Sequence, residues 1–392
     1  MSNVSFLKIK IVFFTHYLNL HGANRSLLNL LNGLKSYGIS PMVIAPQGKG
    51  ELIAELHENN IPFIQLPLFY SYGRTKKDRI KRLFYNLVSI IRLRIRLSPA
   101  DIHLVYSNSS VIAAGFWFSR LVGKPHIWHI REFGNLDYQL TPDWGNFVQK
   151  WMLQKSSAII AVSNAVKNEV LSNIKNVKVI YNGVVSQIEI QEIEKVRNYI
   201  SEQENNQFIF LIMGQINQSK MQEVAILAFS QIESSFPHAR LWVAGRGPVA
   251  FIQQLKKLTV QLKIQDKVIF YGYVTKPFEL FVQCNVTLMC SKYEAMGRVT
   301  AESMICGKPV IGNSSGGTPE LIRNNVNGLL YEKSSQALAE KMAFCLNNSN
   351  WMKDASVNAR EFALANFTEE RYSGQVWEVI QSTIHGSTKK TC

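Results

Sequence analysis

Cysteine is scarce in this chain and shows no paired spacing. The 392 residues include five cysteines, none of them spaced as C-x-x-C: Cys284, Cys290, Cys306, Cys345 and Cys392. An odd number of scattered thiols does not build the disulfide framework of a small secreted domain. We therefore expect reduced cysteines and a cytoplasmic protein.

Long hydrophobic runs are also missing. A helix that crosses a bilayer needs about 20 mainly apolar residues, and no stretch of the sequence approaches that length. The apolar stretch KIKIVFFTHY is too short and has no small-residue cleavage site, so we expect no signal peptide. Both absences favour a protein that works in the cytoplasm.

Acidic residues are few relative to basic ones. The sequence has 43 lysines and arginines against 28 aspartates and glutamates, which gives a net charge of +15. Such an excess favours anionic partners, among them nucleic acids, acidic membrane surfaces and phosphorylated substrates. The net charge alone does not distinguish among these partners. A basic surface that binds none of them is a further interpretation.

Short apolar runs alternate with amphipathic segments in both halves of the chain. The runs are IKIVFFT, PMVIAP, DIHLVYS, HIWHI, AIIAVS and VKVIYNG in the first half, and FIFLIMG, ARLWVAG, KVIFYGYV, VTLMCS and KPVIGNS in the second. This alternation is typical of parallel sheets whose strands are joined by helices. We therefore predict the α/β class, with two Rossmann-like doubly wound domains that face each other across a cleft.

The predicted domain boundaries follow from where the apolar rhythm stops and restarts. We place an N-terminal Rossmann-like domain at 1–183, a polar linker with a helix at 184–207, and a C-terminal Rossmann-like domain at 208–366. Residues 367–392 form a last helix, crossing back to the N-terminal domain, and a tail. In open parallel sheets ligands bind beyond the carboxyl ends of the strands, so we expect the ligand there.

Two glutamates eight positions apart stand at such a strand end, in SKYEAMGRVTAES. Glu294 follows the apolar run VTLMCS, Gly297 permits a tight turn, and a helix is expected from about Arg298 to Ile305. Two residues eight positions apart do not lie on the same face of a helix, because one turn has 3.6 residues. The spacing therefore indicates one carboxylate on a loop and the other, Glu302, on the helix, contacting different parts of one ligand.

Together with its surroundings, this element resembles the family 4 glycosyltransferases, retaining enzymes of GT-B architecture. The matching motifs, in order, are AVSNAVKNEV, VIYNGV, VAGRGP, IFYGYV, E-x7-E and SSGGTPELI, and they cover nearly the whole chain. Each motif alone is weak, but their common order and spacing is specific. The resemblance implies a nucleotide-sugar donor held mainly by the C-terminal domain, with an acceptor approaching from the N-terminal one.

The resemblance assigns the two carboxylates to different parts of the donor. Glu302 would accept hydrogen bonds from the ribose hydroxyls, for which a carboxylate offers two oxygens. Glu294 would meet the transferred sugar, by hydroxyl contacts or by supporting positive charge at the reacting carbon. In the alternative interpretation, Glu302 is an ordinary surface glutamate of a helix and Glu294 is a solvated loop residue.

A departing diphosphate gains negative charge and needs cations and N–H donors. Lys220 matches the phosphate-binding lysine of the family, and the backbone of Gly316, Gly317 and Thr318 would approach the phosphates at a helix N-terminus. Many members have an arginine where this chain has Gln215, and we expect Arg298 to substitute for it; a solvent-facing arginine is the alternative. The resemblance adds further donor-binding positions: Gly214, Gly245, Tyr273 and Val274.

Several positions of the N-terminal half also match family features. HGANRS resembles the glycine-rich loop after the first strand, with His21 and Gly22 at an acceptor or a phosphate. His129 in WHIRE matches a histidine that contacts the donor sugar, although a packed histidine is the alternative. Arg131 and Glu132 follow it and are candidates for contact with the acceptor.

No metal site or cofactor is expected. The chain has six aspartates and no D-x-D pair, the element by which the other large glycosyltransferase architecture holds a divalent ion: Asp78, Asp101, Asp137, Asp143, Asp266 and Asp354. Clustered metal-ligand spacings are missing as well. We expect cations and helix termini to replace a metal, with the front-face attack usually proposed for retaining members.

The function predicted from these features is hexose transfer to a glycan or polyprenyl-diphosphate-linked glycan of a surface polysaccharide. A nucleotide-sugar 2-epimerase of the same architecture is the alternative. A nucleic-acid binder is a remote one, because aromatic-plus-basic RNA motifs are missing.

Residues 74–99, RTKKDRIKRLFYNLVSIIRLRIRLSP, combine a local charge of +8 with an apolar face. They predict an amphipathic helix on an anionic membrane surface, and so a peripheral location on the inner face of the cell membrane. In the alternative reading the apolar face packs on the first sheet.

Overall fold

The computed structural model describes residues 9–73, 78–201 and 206–388, and they form two compact units. The N-terminal unit comprises the described residues up to Gly183 together with those from Glu369 onward. The C-terminal unit comprises the described residues from Val184 to Thr368. Each unit is an α/β body with its own sheet and core, which confirms the predicted fold class.

The strands are short and the helices vary from one to five turns. The strands are β1 Ile9–Phe14, β2 Ile39–Pro46, β3 Phe63–Leu66, β4 Tyr72–Gly73, β5 Leu104–Ser107, β6 His126–Ile130, β7 Thr141–Pro142, β8 Ala158–Ala161, β9 Val177–Val179, β10 Phe208–Met213, β11 Ala239–Ala244, β12 Val268–Gly272, β13 Val286–Met289, β14 Val310–Asn313 and β15 Gly328–Tyr331. The helices are α1 Gly22–Leu34, α2 Glu51–Glu58, α3 Arg79–Arg96, α4 Ala113–Val122, α5 Asn135–Tyr138, α6 Asn146–Lys155, α7 Asn164–Val170, α8 Gln187–Ser201, α9 Gln222–Ile232, α10 Val249–Gln261, α11 Pro277–Gln283, α12 Arg298–Ile305, α13 Thr318–Leu321, α14 Ser335–Asn347, α15 Ser349–Asn366 and α16 Glu369–Thr388.

The N-terminal unit is built on a parallel sheet of seven strands in the order β3-β2-β1-β5-β6-β8-β9. Helix α1 covers it because Leu27, Leu30, Leu31 and Leu34 fall on one face and are buried. The last helix, α16, packs against α1 and contributes Tyr372, Val376 and Ile380 to the same core. The strand order reverses direction between β1 and β5, which makes their carboxyl ends a topological switch point.

The C-terminal unit has a parallel sheet of six strands in the order β12-β11-β10-β13-β14-β15. Its switch point lies between β10 and β13, so the loops after these two strands border the expected ligand site. Helix α8, in the segment interpreted as a linker, belongs to this unit, where Glu194 pairs with Arg360 of α15. The cysteines of the described part, Cys284, Cys290, Cys306 and Cys345, are buried and not bridged.

Helix α3 has two apolar stripes, one buried in the core and one exposed to solvent. Ile90 and Leu93 are buried in a core cluster of the N-terminal unit. The apolar face noted in the sequence is instead solvent-exposed over most of its length: Ile80, Phe84, Leu87, Ile91 and Ile95 are between 49% and 83% exposed. The basic residues Arg74, Lys76 and Lys77 of this segment lie outside the described residues.

Edge strands β3 and β15 were not predicted. Both are four residues long, and β3, FIQL, is only partly buried, so its apolar signal is weak. In the described part of the chain no helix has the length and apolarity needed to span a bilayer.

Candidate active site

The loops at the switch point of the C-terminal unit bring Lys220 to Glu294. Lys220 ends a 3-10 turn after β10, and Asn217 fixes that turn by accepting hydrogen bonds from the backbone N–H groups of Ser219 and Lys220. Lys220 Nζ then lies 2.6 Å from Glu294 Oε2 on the loop after β13. The N–H of Lys292 donates to the carbonyl of Ser219, which ties the two loops together.

Helix α12 begins at Arg298 and carries Glu302 in its second turn, as the sequence predicted. The Arg298 guanidinium donates to Glu302 Oε1 at 3.2 Å, and both side chains are nearly buried. Arg298 therefore does not point into solvent. It lies against the carboxylate assigned to the ribose, and a role at the phosphates stays a prediction.

The turn of Gly316 and Gly317 is held directly against the loop of Glu294. The N–H of Gly317 donates to the carbonyl of Glu294 at 2.7 Å. Gly316 adopts a left-handed φ of +57°, and a Cβ there would lie 2.4 Å from the carbonyl oxygen of Glu294. Only glycine allows this approach. The helix that follows, α13, has four residues, so it contributes less of a dipole than the sequence led us to expect.

Glycines also bring the loops after β10 and β11 together. A Cβ at Gly245, whose φ is +144°, would lie 1.7 Å from the carbonyl oxygen of Gly214. The next residue after Gly214, Gln215, accepts a hydrogen bond from Gln222 Nε2 through its backbone carbonyl. The two loops therefore pack closely at the carboxyl edge of the sheet, where the donor was expected.

Arg246 was not assigned a role from the sequence. It follows Gly245 and places its guanidinium over the ring of Tyr273, 3.7 Å from the centroid. Tyr273 is exposed and Val274 partly buried, just beyond β12. The sequence did contain an indication of this residue, the arginine of VAGRGP. A basic residue that follows a glycine at the carboxyl end of a strand lies at the edge of the sheet where ligands bind.

Arg131 is the central residue of a buried polar cluster in the N-terminal unit. Its Nε donates to Asn108 Oδ1 at 2.9 Å, one terminal nitrogen donates to Asn182 Oδ1, and the other donates to the hydroxyl of Tyr372 at 2.7 Å. Asn108 in turn donates to the carbonyl of Ala23 at the start of α1. Arg131 therefore joins both sides of the switch point to α16.

His129 lies inside this cluster and is fully buried. Its Nδ1 shares a 2.6 Å hydrogen bond with the hydroxyl of Tyr106, and its Nε2 has no partner among the described residues. Burial, with Arg131 adding to it, holds the pKa of His129 well below its ordinary value, so the ring is neutral. The ring does not reach the surface of its unit, and donor contact through it stays a prediction.

Glu132 is directed toward the loop after β5. Its Oε1 accepts hydrogen bonds from the N–H of Ser110 at 2.6 Å, from Ser109 Oγ at 2.7 Å and from Ser110 Oγ. Burial nevertheless raises the pKa of Glu132, because the charged form loses hydration.

His21 and Gly22 stand where the first strand-to-helix loop enters α1. His21 is the N-cap residue, with extended backbone, and its carbonyl accepts from the N–H of Arg25. The first turn of α1 contains no acidic residue. Among the described residues, no group of three or more His, Cys, Asp or Glu side chains could hold a metal ion.

The two halves of the chain match two family profiles of sugar transferases. Residues 195–362 match "Glycosyl transferases group 1", and residues 20–187 match "Glycosyltransferase Family 4".

Curated relatives span both archaea and bacteria. An uncharacterised glycosyltransferase of Methanocaldococcus jannaschii is 32% identical over 58% of this chain and 58% of its own length. The N-acetyl-α-D-glucosaminyl L-malate synthase of Bacillus anthracis is 26% identical over 60% of this chain and 61% of its own length. The chain thus matches about three fifths of these two relatives.

A third relative matches along nearly its whole length. It is a Campylobacter jejuni α-1,4-N-acetyl-D-galactosaminyltransferase, named for an undecaprenyl-diphosphate-linked glycan, and it is 26% identical over 92% of this chain and 97% of its own length. Neither the two family profiles nor this relative supports the 2-epimerase alternative.

Solved structures share the fold. A crystal structure of an Anabaena protein in complex with UDP and glucose has a TM-score of 0.76 and 22% identity, covering 95% of this chain and 100% of that one. A Rickettsia africae glycosyltransferase has a TM-score of 0.78 and 21% identity, covering 97% and 99%.

Proposed function

Because this chain belongs to the family 4 glycosyltransferases of GT-B architecture, we propose that it moves a hexose from a nucleoside diphosphate sugar to a glycan acceptor. The transfer retains the anomeric configuration, as in the family. The C-terminal unit holds the donor, and the N-terminal unit holds the acceptor.

The observation that carries this proposal is the pairing of Lys220 with Glu294 at the switch point of the C-terminal sheet. Ligands of open parallel sheets bind at such points. The pair supplies one cation for the departing diphosphate and one carboxylate for the transferred sugar. The nearby glycine turn adds backbone to the same edge.

The chemistry asked of these residues is electrostatic. Breaking the glycosidic bond transfers negative charge to the diphosphate, and Lys220 stabilises that charge. Glu294 is then released from part of its attraction to Lys220 and can support the positive charge that develops at the sugar carbon. Glu302 holds the ribose, with Arg298 orienting its carboxylate.

The acceptor proposed is a lipid-linked glycan of a surface polysaccharide. The Campylobacter relative is named for such an acceptor, and a Streptococcus pneumoniae relative, 25% identical over 59% of this chain and 56% of its own length, is named as an α-monoglucosyldiacylglycerol synthase. An acceptor of this kind would require the enzyme to work at a membrane surface.

Helix α3 is the proposed site of that membrane contact. Its outer stripe is apolar and exposed, and Arg79, Lys81 and Arg92 flank it. Such a helix can lie in the interface of an anionic bilayer. Arg82 is excluded from this role, since its Nε donates to Asp143 at 2.7 Å.

Donor binding is tested by thermal unfolding in the presence of UDP-, GDP- and ADP-sugars, beginning with UDP-glucose because the Anabaena structure contains UDP and glucose. A donor at 100 times its dissociation constant adds about 2.7 kcal/mol of stability. We expect one nucleotide class to raise the unfolding temperature and to be hydrolysed slowly without an acceptor. If no nucleotide sugar changes the unfolding temperature, the proposal is wrong.

A further inference from the structure

A row of aromatic rings begins at the exposed stripe of α3. The ring centroid of Phe84, a member of that stripe, lies 5.7 Å from that of Tyr85, and Tyr85 lies 5.5 Å from Phe69 on the segment after β3. Phe69 and its neighbour Tyr70 are 40% and 41% exposed. A contiguous patch of exposed apolar side chains indicates a binding surface, whereas scattered single ones need no explanation.

The segment that carries these two rings is held in place by two buried polar side chains. Asn86 of α3 accepts a hydrogen bond from the N–H of Phe69 at 2.8 Å and donates to its carbonyl at 3.1 Å. Ser71 donates its N–H to the carbonyl of Val111 at 2.8 Å, and its hydroxyl accepts from the N–H of Ala113 at 3.1 Å. The exposed rings are therefore presented on a fixed backbone, which lowers the entropy cost of binding to them.

The row continues from Tyr70 to the switch point of the N-terminal sheet. The ring of Tyr70 lies 5.2 Å from that of His16, and His16 lies 4.3 Å from Tyr17, both on the loop after β1. Tyr17 is 5.8 Å from His21, the N-cap residue of α1. Burial raises the pKa of Tyr70 and the charge of Glu132 adds to this effect, so Tyr70 also stands near that carboxylate. Six residues thus form an aromatic track from α3 to the switch point: Phe84, Tyr85, Phe69, Tyr70, His16 and Tyr17.

The aromatic track offers a mainly apolar surface. Burial, with the charge of Arg131 adding to it, lowers the pKa of His16 to about 3, so its ring is neutral at physiological pH. Phe69 and Phe84 have no hydrogen-bonding side-chain group, and at its outer end the track joins the aliphatic residues of the α3 stripe. A hydrocarbon chain fits such a surface, whereas a glycan or a diphosphate needs polar partners along its length.

We infer that the aromatic track binds the polyprenyl tail of the lipid-linked acceptor, next to its diphosphate, and leads it from the α3 stripe to the switch point. The inference rests on the proposed function and assigns a site to the lipid part of the substrate. The tail leaves the bilayer beside Phe84 and lies across Phe69 and Tyr70. The diphosphate-linked glycan then reaches the loops of His16 and His21. An acceptor without a tail lacks this binding surface.

The test measures binding of farnesyl diphosphate to the full chain by isothermal titration calorimetry, below the concentration at which the probe forms micelles. Inorganic diphosphate is the matched ligand without a tail. Phe69→Ala with Tyr70→Ala removes the two exposed rings and keeps the backbone that Asn86 bonds, and Phe69→Ala alone serves if the double variant does not fold. Phe147→Ala with Tyr199→Ala is the control, because these rings are also exposed but lie on other helices, α6 and α8.

We expect the wild type and the control to bind farnesyl diphosphate at least about tenfold more tightly than inorganic diphosphate, because burying one large apolar side chain contributes about that factor. Phe69→Ala with Tyr70→Ala should weaken binding of farnesyl diphosphate about tenfold or more and leave binding of inorganic diphosphate unchanged. Equal affinities of the wild type for the two ligands would overturn the tail site. An unchanged affinity of the variant for farnesyl diphosphate would overturn the role of the track.

Vesicles distinguish a tail site from a wider membrane contact. Phe69→Ala with Tyr70→Ala should co-sediment with anionic vesicles as the wild type does, because the stripe of α3 and its basic residues are intact. If vesicle binding falls together with binding of farnesyl diphosphate, the track is part of the membrane contact and the tail assignment is wrong.

Failure of this inference is separable from failure of the proposed function. Donor binding is assigned to the C-terminal unit, so Phe69→Ala with Tyr70→Ala should bind a nucleotide sugar and hydrolyse it as the wild type does. A chain that binds farnesyl diphosphate through the track but no nucleotide sugar contradicts the proposed function alone. A chain that binds and hydrolyses the donor but has no preference for farnesyl diphosphate contradicts the tail assignment alone.

Discussion

Lys220 Nζ and Glu294 Oε2 are 2.6 Å apart, so the two residues assigned to the diphosphate and to the transferred sugar form one ion pair. They come from loops on opposite sides of the switch point, 74 residues apart in sequence. The pair is partly buried, and removing either partner leaves the other charge uncompensated. The two residues therefore act as one coupled unit, and the effect of replacing one depends on the other.

We predict different effects for the two glutamates of the E-x7-E element. Glu302→Ala should weaken nucleotide binding, because the ribose is bound in the ground state and the transition state alike. Glu294→Ala should mainly lower turnover, because charge at the sugar develops only during the reaction. Calorimetric titration with the nucleoside diphosphate and steady-state kinetics separate the two.

Glu340→Ala, an exposed carboxylate on α14, is the control and should change neither quantity. The division of roles is wrong if Glu294→Ala and Glu302→Ala reduce nucleotide affinity equally and change nothing else.

Arg298 is predicted to supply part of the positive charge at the diphosphate that an arginine provides in family members where this chain has Gln215. Arg298→Ala should lower turnover by about 100-fold, the effect of losing one charge-stabilising donor, and Gln215→Arg should restore part of the loss. The Arg298–Glu302 bond adds a second expectation, namely weaker nucleotide binding, because Glu302 loses its partner. If Arg298→Ala keeps normal turnover while Lys220→Ala loses it, Arg298 does not take over the role of the missing arginine.

The sequence predicted those features that depend on local patterns. The apolar runs indicated most strands of both sheets, and the helix expected from about Arg298 to Ile305 after the Gly297 turn is α12, which ends just before a second left-handed glycine, Gly307. Side-chain pairings could not be predicted in this way. The hydrogen bond from Arg298 to Glu302 depends on the rotamers of both side chains. The pairing of Lys220 with Glu294 depends on how two loops that are distant in sequence pack against each other.

The exposed stripe of α3 shows the same limit. Helical periodicity identified an apolar face, but α3 has two apolar stripes, and only packing decides which one is buried. Ile90 and Leu93 lie in the core, while Ile91 and Ile95 remain outside.

Gly316 is predicted to be required for donor binding. Gly316→Ala should weaken nucleotide affinity about tenfold or more, because its Cβ would displace the carbonyl of Glu294, in addition to about 1–2 kcal/mol for a left-handed alanine. Gly123→Ala separates the two causes: Gly123 has a similar φ of +65°, but no atom of the described residues lies within 4 Å of its Cβ position. If both variants lose only stability and both bind nucleotide normally, the turn is not part of the donor site.

Asp137 is predicted to make stability fall as pH rises from about 4 to 6. Burial raises the pKa of Asp137 from 3.8 to about 6, and the charge of Glu132 acts in the same direction. In that window the folded chain keeps a proton that the unfolded chain has lost, so ionisation favours unfolding. Asp137→Asn should therefore unfold at a higher temperature than the wild type at pH 8, with the difference vanishing near pH 4 (about the unfolded pKa). A difference that is independent of pH would contradict the assignment.

Binding to anionic vesicles through α3 is predicted from its exposed apolar stripe. Vesicles with anionic lipid should co-sediment the protein at low salt, and zwitterionic vesicles should not, because each basic residue near the surface contributes about 1 kcal/mol. Charge reversal of Arg79 and Lys81 should weaken binding more than tenfold, whereas Arg82 must be kept, since it bonds Asp143. Ile91→Ser with Ile95→Ser tests the apolar part, and Val260→Ser, an exposed apolar residue on α10, is its control. The membrane role is wrong if binding survives both the charge reversal and the serine substitutions, or if the wild type does not bind anionic vesicles at low salt.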